Sequence, residues 1–316
     1  HTPLIMIAEP LPHWDELFYR KDGWSGADGI YAFAHRGRLL FYFSDTILSH
    51  PGSNGQREGF RLAHNSFASM DLNGENASFV TRFPACIEAD SGYYWLQDGL
   101  IKKEALYVYA LRVEDSKTAR IPFLLKGTDL LKIQLPLKES PSFEVIDSQG
   151  EEDLYFGSAL IRHGHYYYVF CYTGGARKRT ILARTLSLDK PDYEFLQKDG
   201  RYSKNNHHPK VLCDFLPAES KIYFENNRYY IAYSPYGISE EVRLTSFTKL
   251  GEEIPPGECI YHCPEMKGED ITYNAKIQPA LSSPTRLVIT YNVNSLSPKR
   301  VETTYLYRPH FLEVEL

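Results

Sequence analysis

The 316-residue sequence lacks several features that would point to particular protein classes. No apolar run approaches the roughly 20 residues that a membrane-spanning helix needs, which argues against a membrane partner. Basic residues are not in excess: the formal net charge is -5 at pH 7, so electrostatics favour neither nucleic acid nor an anionic membrane as a partner. The patterns GxxxxGK[ST], GxGxxG and GxSxG are absent, which argues against nucleotide-binding enzymes and serine hydrolases.

Cysteine is scarce and irregularly placed. The five cysteines are Cys86, Cys171, Cys213, Cys259 and Cys263. Cys259 and Cys263 lie near His262, but no second Cys/His pair completes a zinc-ligand spacing. The sequence therefore predicts no metal and no cofactor. The thiol pattern favours a cytoplasmic protein, or a secreted one if a signal peptide has been removed.

Tyrosine-rich strands dominate what is present. Aromatic residues make up 14% of the chain, and apolar runs of strand length alternate with short polar turns, which is typical of an all-β protein. One unit recurs, with a small or polar start, a short strand, a turn and a strongly apolar strand. Its copies are DGIYAFAHRGRLLFYFSDT at 28, DGLIKKEALYVYALRV at 98, GSALIRHGHYYYVFCYTG at 157, ESKIYFENNRYYIAYSP at 219 and KIQPALSSPTRLVITYNVN at 276.

Five repeats, each followed by enough chain for two further strands, predict a five-bladed β-propeller with four-stranded antiparallel blades. Strands at 179–188 and 241–247 fill two of the intervals. A β-sandwich or jelly roll is the competing architecture. No linker or break in composition divides the chain, so we expect a single domain over residues 1–316.

In a propeller the first strand of each blade lines the central channel, so the residues that lead into the repeated hairpins should meet around one mouth. These residues are Asp28, Asp98, Ser158, Glu219 with Ser220, and Lys276 with Gln278. Carboxylates brought together in this way repel one another and lose solvation, a cost that is usually retained only for function.

Several motifs resemble those of five-bladed propeller glycoside hydrolases. They are GADG…FYFSDT (26–46), RLAHNS (61–66), WLQDG (95–99), ESKIYF (219–224) and ITYNVNS (289–295). More narrowly, the chain is similar to a bacterial family, long of unknown function, that includes endo-D-arabinanases. The resemblance implies cleavage of a glycosidic bond, with a furanose-containing glycan favoured as substrate. It also implies that two acidic residues of the first blade, Asp28 and Asp45, are the catalytic pair.

Glycoside hydrolysis needs one carboxyl group that is protonated and one that is ionised. Asp45 follows the apolar strand LLFYF, so we expect it to have the raised pKa and to act as the acid, whereas Asp28 lies in a glycine-flanked turn and suits the ionised role. Asp98, at the start of the second blade, is a third catalytic candidate that either takes part or tunes its neighbours. Glu219 is the rival acid and a candidate substrate ligand.

Four further residues are candidate substrate contacts. Trp24 and Trp95 each precede a candidate aspartate and could stack on a sugar ring, although a place in the core is equally open. Asn65 and Asn292 could donate hydrogen bonds to sugar hydroxyls, although Asn65 also suits an ordinary turn.

Two other functions remain open at this point. A non-catalytic carbohydrate-binding propeller would need the aromatic residues but not the acids. A glycoside phosphorylase would need a cationic phosphate pocket, to which Lys276 with Arg61 or Arg112 could contribute. A carbohydrate is the expected partner in each case, and the sequence does not indicate an oligomeric state.

Overall fold

The computed structural model describes residues 6–118, 121–150 and 153–316. Most of the regular structure in these ranges is β-strand, and no helix in them is long and apolar enough to cross a membrane. In chain order the elements are β1 (Glu9–Pro10), α1 (Pro12–Leu17), β2 (Gly23–Ala27), β3 (Tyr31–His35), β4 (Arg38–Phe43), β5 (Thr46–Pro51), β6 (Arg57–Ala63), β7 (Ser66–Asp71), β8 (Ser78–Val80), β9 (Tyr93–Lys102), β10 (Ala105–Asp115), β11 (Phe123–Gln134), β12 (Phe143–Gln149), β13 (Tyr155–His163), β14 (Tyr166–Tyr172), β15 (Thr180–Thr185), β16 (Glu194–Leu196), β17 (Tyr202–Ser203), β18 (Tyr223–Glu225), β19 (Arg228–Tyr233), β20 (Glu241–Phe247), β21 (Glu258–His262), β22 (Asp270–Ile277), a 3-10 helix (Pro279–Leu281), β23 (Arg286–Ser295), α2 (Pro298–Thr303) and β24 (Pro309–Glu315).

Five antiparallel sheets follow one another along the chain. The first to the fifth sheet have the strand orders β3-β4-β7-β8, β9-β10-β11-β12, β13-β14-β15-β16-β17, β18-β19-β20-β21 and β22-β23-β24-β1. The first two strands of each sheet form the hairpin that the sequence repeats, so one repeat corresponds to one sheet. The predicted strands at 179–188 and 241–247 form β15 and β20.

A sixth, three-stranded sheet was not predicted from the sequence. It has the order β2-β5-β6, and its strands flank the β3-β4 hairpin of the first sheet. The chain therefore passes from the small sheet into the first sheet at Asp28 and returns at Asp45. The structure thus has six sheets among the described residues, where the sequence analysis expected five blades.

Hydrogen bonds connect each of the five larger sheets to the next. The Leu96 amide donates to Ser44 Oγ (3.0 Å), the Leu160 amide to Asp98 Oδ2 (2.8 Å), the Ser220 amide to the Ser158 carbonyl (2.8 Å), the Ala275 amide to Ser234 Oγ (3.1 Å) and the Ala32 amide to Gln278 Oε1 (2.9 Å). The last of these returns from the fifth sheet to the first. Strand β1, which precedes the first sheet, pairs with β24 of the fifth. The five sheets therefore contact one another in cyclic order.

The apolar core is divided into clusters that lie between neighbouring sheets. Tyr42 and Phe67 of the first sheet, for example, pack with Val108 and Leu131 of the second, and equivalent clusters join the second to the third, the third to the fourth and the fourth to the fifth. A further cluster joins the first and fifth sheets through Phe18, just after α1. Each sheet is thus buried on both faces by its neighbours.

Phe18 provides a test of this last junction. Its fully buried ring packs edge-on against Trp24, Phe41 and Phe79 and stacks on Phe311. Removing a buried aromatic ring leaves a cavity as well as losing burial, so Phe18→Ala should lower the free energy of unfolding by about 3–5 kcal/mol in urea denaturation. Phe60→Ala, at a ring that is 38% exposed, is the matched control and should change it far less. Equal effects would contradict the cluster.

Candidate active site

The candidate site begins where the chain passes between the small sheet and the first sheet. The Asp28 amide donates to the Asp45 carbonyl (3.3 Å), and the Ser44 amide donates to the Asp28 carbonyl (2.9 Å). These two bonds continue the β3-β4 ladder to the residues that bear the candidate carboxyl groups. Asp28 and Asp45, which are far apart in sequence, therefore become backbone neighbours, as the hairpin predicted.

The Asp28 carboxyl group lies in a crowded, acidic environment. Its side chain is partly buried, and its Oδ2 accepts a hydrogen bond from the Tyr273 hydroxyl (2.9 Å). Burial, followed by the charges of Asp45 and Glu219, raises the pKa of Asp28 to about 8, although the hydroxyls of Tyr273 and Tyr307 oppose the shift. Asp28 therefore retains its proton at neutral pH. The sequence analysis had expected the raised pKa at Asp45 and an ionised Asp28.

Asp45 lies in a different environment. Its Oδ1 accepts a hydrogen bond from the Trp95 indole nitrogen (2.9 Å) and lies 3.3 Å from His64 Nδ1. The Asp45 side chain is 23% exposed, so solvent and ligands can reach it. The two aspartates are thus neighbours in unlike surroundings.

Aromatic rings extend from Asp45 along the second sheet. The His64 ring stacks on Tyr93 with a centroid separation of 3.7 Å, and Trp95 packs edge-on against Phe123 at 4.7 Å. All four rings are partly exposed. This aromatic wall, defined as His64, Tyr93, Trp95 and Phe123, provides flat apolar surface beside a carboxylate. Of the two candidate tryptophans, Trp95 lies where a sugar could reach it.

Glu219 is the third acidic group of the site. Its Oε1 would lie only 3.1 Å from a Cβ atom at Gly29, which has a φ of +64°, so Gly29 both permits the turn and leaves room for this carboxyl group. The Glu219 side chain is 16% exposed. Burial raises its pKa, while Lys276 and Asn274 oppose the shift. Glu219 therefore contacts the turn that carries Asp28.

Lys276 lies next to Glu219. Its side chain is fully buried, and its Nζ is 4.0 Å from Glu219 Oε1 and 4.4 Å from the centroid of the Tyr31 ring. Within the described part of the chain, Nζ has no hydrogen-bond partner. Burial lowers the pKa of Lys276, and the nearby carboxyl groups, led by Glu219, raise it. The site thus contains a buried cation whose nearest carboxylate is Glu219.

The surroundings of Asp98 favour a structural role over the predicted catalytic one. Its side chain is fully buried and all its acceptors are used: Oδ1 accepts from Lys221 Nζ (2.6 Å) and the Gly99 amide (2.7 Å), and Oδ2 from the Leu160 amide (2.8 Å). Burial raises the pKa of Asp98, and the Lys221 charge opposes this. Asp98 therefore joins the second, third and fourth sheets.

Three predicted substrate contacts are also structural. Trp24 is 1% exposed, packs in the core and donates from its indole nitrogen to Ser66. Asn65 is buried and bonds to the backbone of Ile87 and Tyr94, which anchors the loop before β9. Asn292 is buried and donates to the Ala27 carbonyl (3.1 Å), which joins the fifth sheet to the small sheet. All three side chains point into the protein, a direction that the sequence does not reveal.

The cationic pocket required by a phosphorylase is not assembled. Arg112 pairs with Asp129 and donates to two backbone carbonyls, and Arg61 lies over the exposed ring of Phe83. Lys276 therefore stands without either predicted arginine. Among the described residues, no group of three or more His, Cys, Asp or Glu side chains is placed to hold a metal ion.

The site also contains residues that the sequence analysis missed. Tyr273 bonds to Asp28, and the Tyr307 hydroxyl donates to the Asp45 carbonyl (2.9 Å). His64 lies in the RLAHNS motif, to which the sequence analysis assigned no individual role for the histidine. Tyr273 lies in β22 immediately before the fifth repeat, and this position was the one available signal; nothing in the local sequence marks Tyr307.

Comparisons with known proteins agree with this architecture. The family model described as "Domain of unknown function (DUF5005)" matches residues 12–315. No curated protein matches the chain. A crystal structure of a candidate hydrolase from Bacteroides ovatus is similar, with a TM-score of 0.80 and 17% identity over 97% of this chain and 90% of that one.

Two more distant structures are glycoside hydrolases. The GH43_1 enzyme from Xanthomonas citri, solved with xylose, has a TM-score of 0.54 and 13% identity, covering 99% of this chain and 91% of that one. The catalytic domain of the GH62 α-L-arabinofuranosidase from Coprinopsis cinerea has a TM-score of 0.53 and 11% identity, covering 98% of this chain and 96% of that one. At such identities the likeness shows the fold, which is the β-propeller of these hydrolases.

The buried ion pair of Asp98 and Lys221 should contribute to the stability of the fold. Removing one partner of a buried ion pair leaves the other charge uncompensated, so Asp98→Asn should lower the free energy of unfolding by about 3–5 kcal/mol. Adding Lys221→Met should recover part of that loss. The exposed pair of Lys204 and Asp192 is the control: Asp192→Asn should change stability by less than about 1 kcal/mol in the same urea titrations. A small effect of Asp98→Asn would contradict the structural role.

Asp28 generates a pH-dependent prediction. The folded protein keeps the Asp28 proton up to about pH 8, whereas the unfolded chain releases it near the ordinary value of 3.8. The folded state thus binds more protons in this window, and the stability that Asp28 contributes at low pH is lost as the pH rises through 8. Asp28→Asn should therefore raise Tm relative to wild type more at pH 8 than at pH 5. The exposed control Asp22→Asn should show no such trend, and an equal gain at both pH values for Asp28→Asn would refute the shift.

Proposed function

The chain belongs to the DUF5005 family, and we propose that it is a glycoside hydrolase that holds the scissile glycosidic bond between Asp28 and Asp45. The observation that carries the proposal is that these two carboxyl groups are backbone neighbours in unlike environments: Asp28 is held protonated beside Tyr273, and Asp45 accepts a hydrogen bond from Trp95. Two carboxyl groups with separated proton affinities are what glycosidic cleavage requires.

The proposal includes a five-bladed propeller formed by a single domain. The cyclic contacts of the five larger sheets, the strand that joins both ends of the described chain and the core clusters between neighbouring sheets support five blades. The sixth sheet is then an insertion into the first blade. It supports the site directly, because the two connections between this sheet and the blade carry Asp28 and Asp45.

We assign the acid role to Asp28 and the base or nucleophile role to Asp45, the reverse of the order expected from the sequence. Asp28 gives its proton to the glycosidic oxygen as the bond to the leaving sugar breaks. Asp45 either activates a water molecule or attacks the anomeric carbon. The Trp95 and His64 contacts keep the Asp45 carboxylate oriented, and the aromatic wall offers an apolar face to the sugar ring.

For the substrate we propose a glycan that contains pentose or furanose units, in line with the endo-D-arabinanase resemblance. The structurally similar proteins include a β-xylosidase and α-L-arabinofuranosidases, and one of them is solved with xylose. A purely binding propeller is less well supported, because it gives no reason to retain a buried, protonated Asp28 beside two other carboxyl groups. A phosphorylase is less well supported because Arg61 and Arg112 lie elsewhere.

Leaving-group chemistry provides the test of both residues. On arabinan- and xylan-type glycans, Asp28→Asn and Asp45→Asn should each lower kcat/KM by at least about 100-fold. On aryl glycosides whose phenol leaves without protonation, Asp28→Asn should regain most of the wild-type rate, whereas Asp45→Asn should not. Asp22→Asn is the control and should match wild type.

The outcomes separate the alternatives. Rescue of Asp45→Asn instead of Asp28→Asn would reverse the two roles. Full activity of both variants on every cleaved glycan would refute the assigned pair. Binding without any product from wild type would favour the carbohydrate-binding alternative, and turnover that depends on added phosphate would favour the phosphorylase.

A further inference from the structure

The Glu219 and Lys276 side chains form a buried pair that the proposed reaction does not use. Glu219 comes from the segment before β18 and Lys276 from β22, so the pair spans the fourth and fifth sheets. Its two charged atoms lie 4.0 Å apart, with the Lys276 side chain fully buried and Glu219 only 16% exposed. Lys276 Nζ has no hydrogen-bond partner in the described ranges, so Glu219 is its main electrostatic partner. The pair has no net charge, whether it consists of an ammonium and a carboxylate or of a neutral amine and a neutral carboxylic acid.

Glu219 lies beside the turn that carries Asp28. Glu219 Oε1 lies against Gly29, the residue after Asp28, and leaves no space for a side chain there. The titratable groups that act on Asp28 are Asp45 and Glu219, which raise its pKa, and Tyr273 and Tyr307, which lower it. Those that act on Lys276 are Glu219, Asp28, Asp98 and Lys221. Asp98 and Lys221 already neutralise each other at 2.6 Å. The charge balance next to Asp28 therefore depends on Glu219 and Lys276.

We propose that Lys276 is a positioning residue: it forms with Glu219 a neutral buried unit, and this pairing cancels the Lys276 charge that would otherwise draw the proton from Asp28. The proposal rests on the assignment of Asp28 as the acid. Without Glu219, Asp28 would be the strongest carboxyl group left acting on the buried Lys276 ammonium, and because an isolated buried charge is costly, Lys276 could stay charged only by favouring an ionised Asp28. Without Lys276, Glu219 would keep its own proton, because an isolated carboxylate is costly to bury, and the unit would stay neutral.

A double-mutant comparison tests this. In the basic limb of the pH profile of kcat/KM, Glu219→Gln should shift the midpoint towards lower pH by about one unit or more, since it leaves an unpaired positive charge near Asp28. Lys276→Met, which keeps the length of the side chain, should leave the midpoint close to that of wild type. The double variant should resemble Lys276→Met and not Glu219→Gln.

A second measurement does not depend on activity. The pH dependence of Tm is compared between each variant and the same variant with Asp28→Asn, which reports where Asp28 loses its proton in the folded state. The same order of midpoints is expected. If the enzyme assignment fails, the glycan assays give no turnover, but this comparison still tests the neutral unit.

Three results would overturn the proposal. A double variant that keeps the full midpoint shift of Glu219→Gln would show that Glu219 alone controls the Asp28 proton and that Lys276 has no part in it. Lys276→Met with an unchanged profile but a raised KM would make Lys276 a substrate ligand. No shift in Glu219→Gln by either measurement would show that the pair does not control the Asp28 proton.

Discussion

Two backbone hydrogen bonds between Asp28 and the Ser44–Asp45 turn are the constraint on which the site depends. They fix the chain where it leaves one sheet for another, and a ladder position leaves little freedom to the Cα atoms that carry the carboxyl groups. Burial of Asp28, followed by the charges of Asp45 and Glu219, then leaves the Asp28 proton in place. The backbone geometry therefore comes first, and the raised pKa of Asp28 follows from it.

The cyclic order of the sheets supplies the rest of the environment. Tyr273 and Glu219 come from the fifth and fourth sheets, and they reach Asp28 only because the last sheet contacts the first sheet through Gln278 and the small sheet through Asn292. The same closure brings two lysines and two further carboxyl groups into the centre. The charged atoms of Asp98 and Lys221 lie 2.6 Å apart, and both oxygens of Asp98 accept hydrogen bonds. Those of Glu219 and Lys276 lie 4.0 Å apart, and Lys276 Nζ has no hydrogen-bond partner among the described residues.

The sequence predicted the parts of this arrangement that depend on local pattern. The alternation of apolar strands and turns predicted the hairpins, their period predicted the succession of sheets, and the hairpin ends brought Asp28 to Asp45. It did not predict the small sheet, because β6 has mostly exposed residues and no continuous apolar run. The sequence also predicted substrate contacts for Asp98, Trp24, Asn65 and Asn292. A residue near a strand end has the same local sequence whether its side chain faces solvent or a distant partner. Lys221, which neutralises Asp98, lies 123 residues away.

The same reasoning explains why the sequence predicts the raised pKa at Asp45, whereas the structure gives it to Asp28. An apolar strand before Asp45 suggested burial, but strand composition describes the side chains that precede a residue and not the groups that face it. Asp45 accepts a hydrogen bond from Trp95 and lies beside His64, both from outside its own hairpin, while Asp28 is buried within range of the charges of two carboxyl groups. The protonation of a carboxyl group at a sheet junction is thus decided by residues that other strands deliver, and only the closed ring determines which ones arrive.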